Sequence, residues 1–544
     1  MDLCSYSQTS VTFTANTEIS PVAAAAIRPD SGQTSNSPEQ HRTAKLAGSD
    51  DFKTLYTQSS HYLAGRVVVM LLGLLSFPVF TRLFSVDEYG LLNLVTKTVA
   101  VFVVFAKMGV QNSVLRFYQD FARHGDRSTV RAYYSTLYFS IFVFAAMATI
   151  GFDLFIWLAP NKWMSPLLRQ LLLLGSALIF IRGIYSVLVG FWRVQERTIL
   201  FNGVDALNKV GVIVVICLLA FTWERSVRAF LGGSLLVEGA TVFIASYLLF
   251  HQGLILPSAW NSKLFKDAVQ YGAPLIFYEL FGVVLASADR FLVQFYLGSR
   301  QLGYYSAAYN LSSSLQESVV APLALALFPI YMRLWATKGR EATQTFLSTI
   351  FNHFALVAVG IIALVALTSK DAVILLASDK FQKAHTLVPL LVAALLLAAS
   401  HFFVDPGLLI YRKTGVMARI AIYSTVANIA LNVLLLPRMG LFGAGLATFL
   451  SYLFMTLLTV HASFALLPIP LQLRRVAKYA AAAAIIFFAL RGLHTEHALV
   501  GLAVKGALGT VGYIALVLLF DKVLRTFVTT QWSRRVYPKL AESD

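Results

Sequence analysis

Charge is what this chain has least of: Asp, Glu, Lys and Arg make up 13% of its 544 residues, about half the share a soluble domain needs to cover its surface. The deficit excludes an ordinary water-soluble fold and leaves lipid as the solvent for most of the length. Cysteine is nearly absent. Cys4 lies in a polar leader and Cys217 in an apolar run, so no disulfide framework is implied. Long polar connections are also missing: the outer loops seldom exceed about a dozen residues, which leaves no room for a folded extracytoplasmic domain. Catalytic signatures are absent as well, with no His and Glu metal motif, no phosphate-cradling glycine loop with its lysine, and no nucleophile elbow. The expectation is a non-enzyme with no catalytic residue, no metal site and no cofactor.

What the chain does have is hydrocarbon, with 57% hydrophobic residues and a mean hydropathy of +0.69. It comes in blocks such as Val67 to Phe80 and Val212 to Phe221, each inside a longer run able to cross a bilayer as helix. Fourteen such runs, of roughly 17 to 29 residues, extend from Tyr62–Leu83 to Leu499–Phe520; the thirteenth, Val476–Leu490, is the shortest. The fold class expected is an all-α polytopic membrane protein of about 14 transmembrane helices.

The net charge of +17 is not a nucleic-acid signal, because the basic residues sit in short connections between apolar blocks. Arg123, Arg127 and Arg131, Arg193 and Arg197, Lys263 and Lys266, Arg333 and Arg340, and Arg474, Arg475 and Lys478 all fall on the side of the termini. With both tails that side holds about 24 Lys and Arg against about 11 on the other. Both termini are therefore expected in the cytoplasm, which an even number of spans also requires.

Two segments resemble one another: Phe84–Gly90 after the first span and Leu297–Gly303 after the seventh, at an offset of 213 residues that also carries Gly232 onto Gly445. The organisation expected is a disordered cytoplasmic leader over 1–55, a six-helix lobe over 56–252, a second over 253–468, and an extra helix pair with a basic tail over 469–544.

The pattern Pro78-Val-Phe-Thr-Arg82-Leu-Phe-Ser-Val-Asp-Glu88-Tyr-Gly90 resembles the first-helix signature of the polysaccharide-transport branch, the Wzx-type oligosaccharide flippases, of the multidrug/oligosaccharidyl-lipid/polysaccharide exporter superfamily. Gly109 to Arg116, Ser287 to Leu292, and Asn432 through Pro437 and Gly440 to Gly445 resemble further motifs of that branch in the same order. The resemblance implies two lobes around a central cavity with alternating access, in a bacterial inner membrane. It also implies a substrate, an oligosaccharide on a polyprenyl diphosphate. Membrane lipid, a polysaccharide polymerase and glycosyltransferases are the implied partners. A multidrug exporter of the same superfamily is the rival reading, and a membrane-embedded glycosyltransferase or polymerase another.

An ionisable group inside a span needs water or a partner. Arg66, in the first span, offers a guanidinium fork to a diphosphate or snorkels to the interface. Asp205 and Lys209 share a face of the fifth span, as an internal ion pair or as a proton acceptor and a phosphate contact. Glu238, in the sixth, has no obvious local cation and is either a coupling carboxylate or the partner of a base on a neighbouring helix. In the seventh span Glu279 and Arg290, about three turns apart, are expected on nearly one face of a helix loosened by Gly272 and Pro274. Asp289 and Arg290 either contact substrate or hold an outer gate. Asn310 and Glu317 form a polar stripe on the eighth span, and His401 and Asp405 a possible proton relay on the tenth. Arg66, Lys209, Arg290 and Asn310 are thus the candidate substrate contacts. Asp205, Glu238, Glu279, Asp289, Glu317, His401 and Asp405 are the candidate coupling or gating groups.

Overall fold

Hydrocarbon offers a peptide group no hydrogen-bonding partner, so apolar runs of this length must satisfy their backbones internally. The computed structural model meets this with helix, and no strand occurs among the described residues. These are 73, 75–122, 126–160, 164–195, 198–522 and 524–526, all within the unit Ser60–Asp544. Arg66 and the leader lie outside them.

Helix α1 covers residues 75–83. It is followed by α2 (Val86–Lys107), α3 (Val110–Ala122), α4 (Arg127–Leu158), α5 (Pro166–Val194), α6 (Thr198–Thr222), α7 (Val227–His251) and α8 (Ser262–Leu285). The very long α9 (Ala288–Ala377) precedes a 3-10 turn, Asp379–Thr386. Next come α10 (Val388–Ala399), the short α11 (His401–Val404) and α12 (Pro406–Ile410), α13 (Thr414–Phe464), α14 (Leu473–Leu490) and α15 (Ala498–Phe520). Positive φ at Gly298 and Gly339 breaks α9, and at Gly440 breaks α13, a backbone region that a Cβ would strain. By length and composition, nine of the described helices can cross a membrane. The chain is a multi-pass helical membrane protein.

The seventh span departs from the sequence-based expectation. Helix α8 runs unbroken through Pro274, and Gly272 serves close packing instead, lying against the backbone of Gly109. The break comes at Ala286 and Ser287, where α8 ends and α9 begins. Glu279 and Arg290 therefore belong to different helices and share no face.

The motif after α1 has a local cause. Ser85 caps α2, its hydroxyl accepting from the Glu88 N–H at 3.3 Å while the Glu88 carboxylate accepts from the Ser85 N–H at 2.9 Å. Asp87 and Glu88 then sit in the first turn, where the helix dipole favours them. Asp126 caps α4 one way, its carboxylate accepting from the Ser128 N–H, and the Ser128 hydroxyl holds that carboxyl below the usual carboxylate range.

The repeated glycines meet each other. A methyl on Gly90 would overlap the Ser299 carbonyl oxygen and lie 2.8 Å from the Gly303 nitrogen; one on Gly303 would overlap the Val86 carbonyl, 2.7 Å from Val86 Cγ1. Val86 and Ser299 are themselves 213 positions apart, as are Gly90 and Gly303. The contact is thus reciprocal, as a two-fold between related segments requires. Gly232 and Gly445 show no such reciprocity, packing on Leu219 and Leu390.

The same end of α2 carries further bonds to distant chain. Arg82 donates to the Leu375 carbonyl at 2.6 Å and to Leu376 at 3.2 Å, and Lys380 to the carbonyls of Arg82, at 3.1 Å, and Phe84. Burial there pushes the Lys380 ammonium below its ordinary range. Far from this junction, α15 docks on the last third of α9 through a Lys505–Asp371 ion pair of 2.9 Å and a bond from the Tyr513 hydroxyl to the Leu356 carbonyl.

Candidate functional site

Two helical stripes define a polar cavity of about 680 Å³. On α5, Arg182, Tyr185, Val189 and Arg193 recur at three- and four-residue steps; on α6, Phe201, Asp205, Lys209 and Val212 do the same. Lys107 and Gln111 face the space from α2 and α3, and Glu238 from α7. Among the described residues four cations line it against two acids, an excess of positive charge.

The cations are not equivalent. Arg182 forks onto Glu238, with Nε and Nη2 each 2.7 Å from a carboxylate oxygen. Lys107 binds Glu279 at 2.8 Å, and Gln111 donates to the other oxygen at 2.9 Å. Among the described residues no acid lies within ion-pair distance of Arg193 or Lys209. Arg193 instead stacks over Phe201, 4.9 Å from the ring centre. Lys209 lies within an apolar span, where such a group requires water or an anion.

Glu279 also lines a second cavity, of about 340 Å³, together with His401 and Asp405. Ala286 closes that cavity and opens a third of about 360 Å³, lined by Lys97, Asn310, Gln316, Glu317, Phe402 and Tyr452 among others. The second and third cavities meet at Ala286, at the end of α8, and the first is tied to α8 through the Lys107–Glu279 pair.

Residues 57–335 match the polysaccharide biosynthesis protein family, a little over half of the chain. The chain belongs to this family. It is similar to a probable low-salt glycan biosynthesis flippase, Agl15, of Haloferax volcanii, at 22% identity over 311 residues. That alignment takes in 54% of this chain and 66% of Agl15, just under two thirds of the relative's length. In fold it is similar to the lipid II flippase MurJ in an inward closed conformation, with a TM-score of 0.69 and 14% identity over 85% of this chain and 99% of that one. It is also similar to an inward-facing multidrug resistance MATE transporter of the MOP superfamily, with a TM-score of 0.53 and 14% identity over 76% of this chain and 95% of that one. The superfamily resemblance drawn from the Pro78–Gly90 signature is in keeping with this membership.

In this polysaccharide biosynthesis protein the sequence-derived candidates separate into three groups. Asp205, Lys209 and Glu238 meet in the first cavity, yet no ion pair joins Asp205 to Lys209. Four-residue spacing shares a face, but the aspartate stem is a single methylene and contact would need the lysine to fold back along the helix. Glu238 has its cation after all, Arg182 of the neighbouring helix. Glu279, His401 and Asp405 line the second cavity, with His401 held between Asp405 at 3.0 Å and Thr456 at 3.2 Å. Asn310 and Glu317 line the third.

Asp289 and Arg290 stand apart from all three. Both are at most 1% exposed. The Arg290 guanidinium donates to the Ala286 carbonyl at 2.8 Å and to Asp289 at 3.3 Å, and lies 4.0 Å over the Tyr309 ring. Tyr305 donates to Asp289 and contacts Thr448 of α13 at 3.2 Å. The pair ties α9 to α13 in buried packing behind Ala286 and Tyr309, which line the third cavity, and Arg290 itself lines none of the three, so the sequence-based assignment of Arg290 as a substrate contact does not hold for this conformation.

Lys97, Lys107, Arg182 and Arg193 escaped the sequence reading. The signal was present for three of them, since Lys97 and Lys107 lie in the second apolar run and Arg182 in the fourth, where the cost of a buried charge applies equally. Arg193 read as a loop cation but reaches the cavity from the last turn of α5.

Proposed function

We propose that this protein moves a polyprenyl diphosphate-linked oligosaccharide across a bacterial inner membrane during the making of a cell-surface polysaccharide. The observation that carries the reading is the pair Arg193 and Lys209, two cations with no acid partner among the described residues, in a cavity whose described lining has an excess of cations. A diphosphate supplies what they lack, a compact anion able to accept several charge-assisted hydrogen bonds. A drug exporter would instead need a cavity with an excess of carboxylates open to a cationic cargo, whereas here Glu238 is engaged by Arg182 and Asp205 faces both Arg193 and Lys209 across the described lining.

In this proposal fourteen helices cross the membrane and both termini are cytoplasmic. Lobes over 56–252 and 253–468 alternate access, and the pair over 469–544 braces the second. Lys107 to Glu279 joins α2 to α8, and Glu279 with the His401–Asp405 pair of the neighbouring cavity would couple transport to an ion gradient at that latch. Asp205 and Glu238 set the charge of the anion site, Asp289 and Arg290 brace the second lobe, and Arg66 offers the diphosphate a further guanidinium. Glycosyltransferases supply the substrate and a polymerase consumes it.

Deleting the gene should abolish surface polysaccharide while lipid-linked oligosaccharide accumulates in the inner leaflet, and the intact gene should reverse both. Unchanged polymer with no accumulation would refute the proposal.

A further inference from the structure

Resting on that reading, we infer that the third cavity is a saccharide subsite, separate from the cations that take the diphosphate. Its chemistry differs from that of the first cavity. Lys97 and Glu317 contribute one charge of each sign, and among the described residues no ion pair joins them. A balanced pair favours neither anion nor cation, while the Gln316 amide supplies both donor and acceptor. Sugar hydroxyls need that mixture, since each donates one hydrogen bond and accepts others.

Asn310 is held in a fixed orientation. The Asn93 amide nitrogen donates to the Tyr89 carbonyl at 2.8 Å, which leaves the Asn93 oxygen to accept from Asn310 at 2.9 Å. The Asn310 nitrogen also donates to the Tyr89 hydroxyl at 2.8 Å. Both its protons are spent, so its carbonyl is the group available to a ligand hydroxyl. Phe402, 43% exposed, and Tyr452 supply aromatic surface in the same cavity, where the negative ring face suits the C–H edge of a pyranose.

Position agrees with chemistry. Glu279, bound to the first cavity's Lys107, and Ala286, at the mouth of the third, are seven residues apart on α8, on the order of 10 Å of helix. On α2, Lys107 and Lys97 are ten residues apart, on the order of 15 Å. The headgroup would therefore lie along the α2–α8 crevice, its diphosphate at Arg193 and Lys209 and its sugars reaching past Glu279 to Glu317. Glu317 then serves recognition rather than coupling.

The test uses purified full-length protein in nanodiscs and two probes, undecaprenyl diphosphate and the lipid-linked oligosaccharide extracted from the source cells. The wild type should bind the sugar-bearing lipid at least tenfold more tightly. A Gln316→Ala/Glu317→Ala variant should lose that preference while its Kd for undecaprenyl diphosphate stays within twofold of wild type, which also shows that it is folded; Gln316→Glu/Glu317→Gln, which keeps both volumes, should lose part of it. Equal binding of the two probes by the wild type, or a preference retained in both variants, would overturn the subsite and leave the flippase reading standing. Binding of neither probe would overturn both.

Discussion

Alanine at both Arg193 and Lys209 should lower translocation of polyprenyl diphosphate-linked oligosaccharide at least a hundredfold while leaving normal amounts of protein in the membrane. Each cation makes charge-assisted bonds to a diphosphate worth about 1.5–3 kcal/mol. Losing both costs about 3–6 kcal/mol, and every 1.4 kcal/mol is about tenfold in affinity. The fold should hardly notice, because neither side chain is spent on an ion pair among the described residues. Arg193 gives up only its stacking on Phe201, about 0.5–1 kcal/mol at a partly exposed site. Arg182→Ala is the instructive contrast. It strands Glu238, 15% exposed, and should cost about 3 kcal/mol of stability, seen as a lower melting temperature in detergent. Transport rates normalised to protein in the membrane separate the two effects, and wild-type rates in the double variant would remove Arg193 and Lys209 from the substrate path.

Gly303→Leu should open the junction between α2 and α9. The obstacle is the Val86 carbonyl, a backbone group that cannot rotate away, with the Val86 carbonyl carbon 2.8 Å from the new Cβ. Overpacking against such a neighbour costs about 3 kcal/mol or more, enough to shift a two-state equilibrium more than about a hundredfold. With Cys4 and Cys217 replaced by serine, Ser313→Cys in the third cavity reports the change. Labelling by a membrane-impermeant maleimide from the extracytoplasmic side should accelerate at least tenfold in the Gly303→Leu background. Identical rates would show that this contact does not close the outer mouth.

Both predictions draw on features that were only partly legible in the sequence. The apolar runs announce helices because hydrocarbon leaves no alternative, and Ser85 with Glu88 reads as a capping box at first sight. Periodicity also places Asp205 with Lys209, and Asn310 with Glu317, on shared faces, and each couple does line a common cavity. Periodicity names a face but not the helix opposite it. Hence the sequence left open whether a neighbouring helix holds a base for Glu238, which is Arg182, and did not display Lys107 as the partner of Glu279. The break at Ala286 and Ser287 was illegible for another reason. Glycine and proline are the usual signs of a helix end, and both stand elsewhere in this segment, at Gly272 and Pro274, where the helix continues. That misplaced break put Arg290 on the wrong face, and its burial under Tyr309 followed from packing the sequence does not display.

The central claim is that the cavity between α5 and α6 holds a diphosphate. A density map of the full-length protein in nanodiscs with undecaprenyl diphosphate tests it most directly. Two phosphorus peaks within about 4 Å of the Arg193 guanidinium and the Lys209 Nζ, the reach of charge-assisted bonds, are the result predicted. A headgroup resolved elsewhere, with Arg193 and Lys209 facing only water, would contradict it.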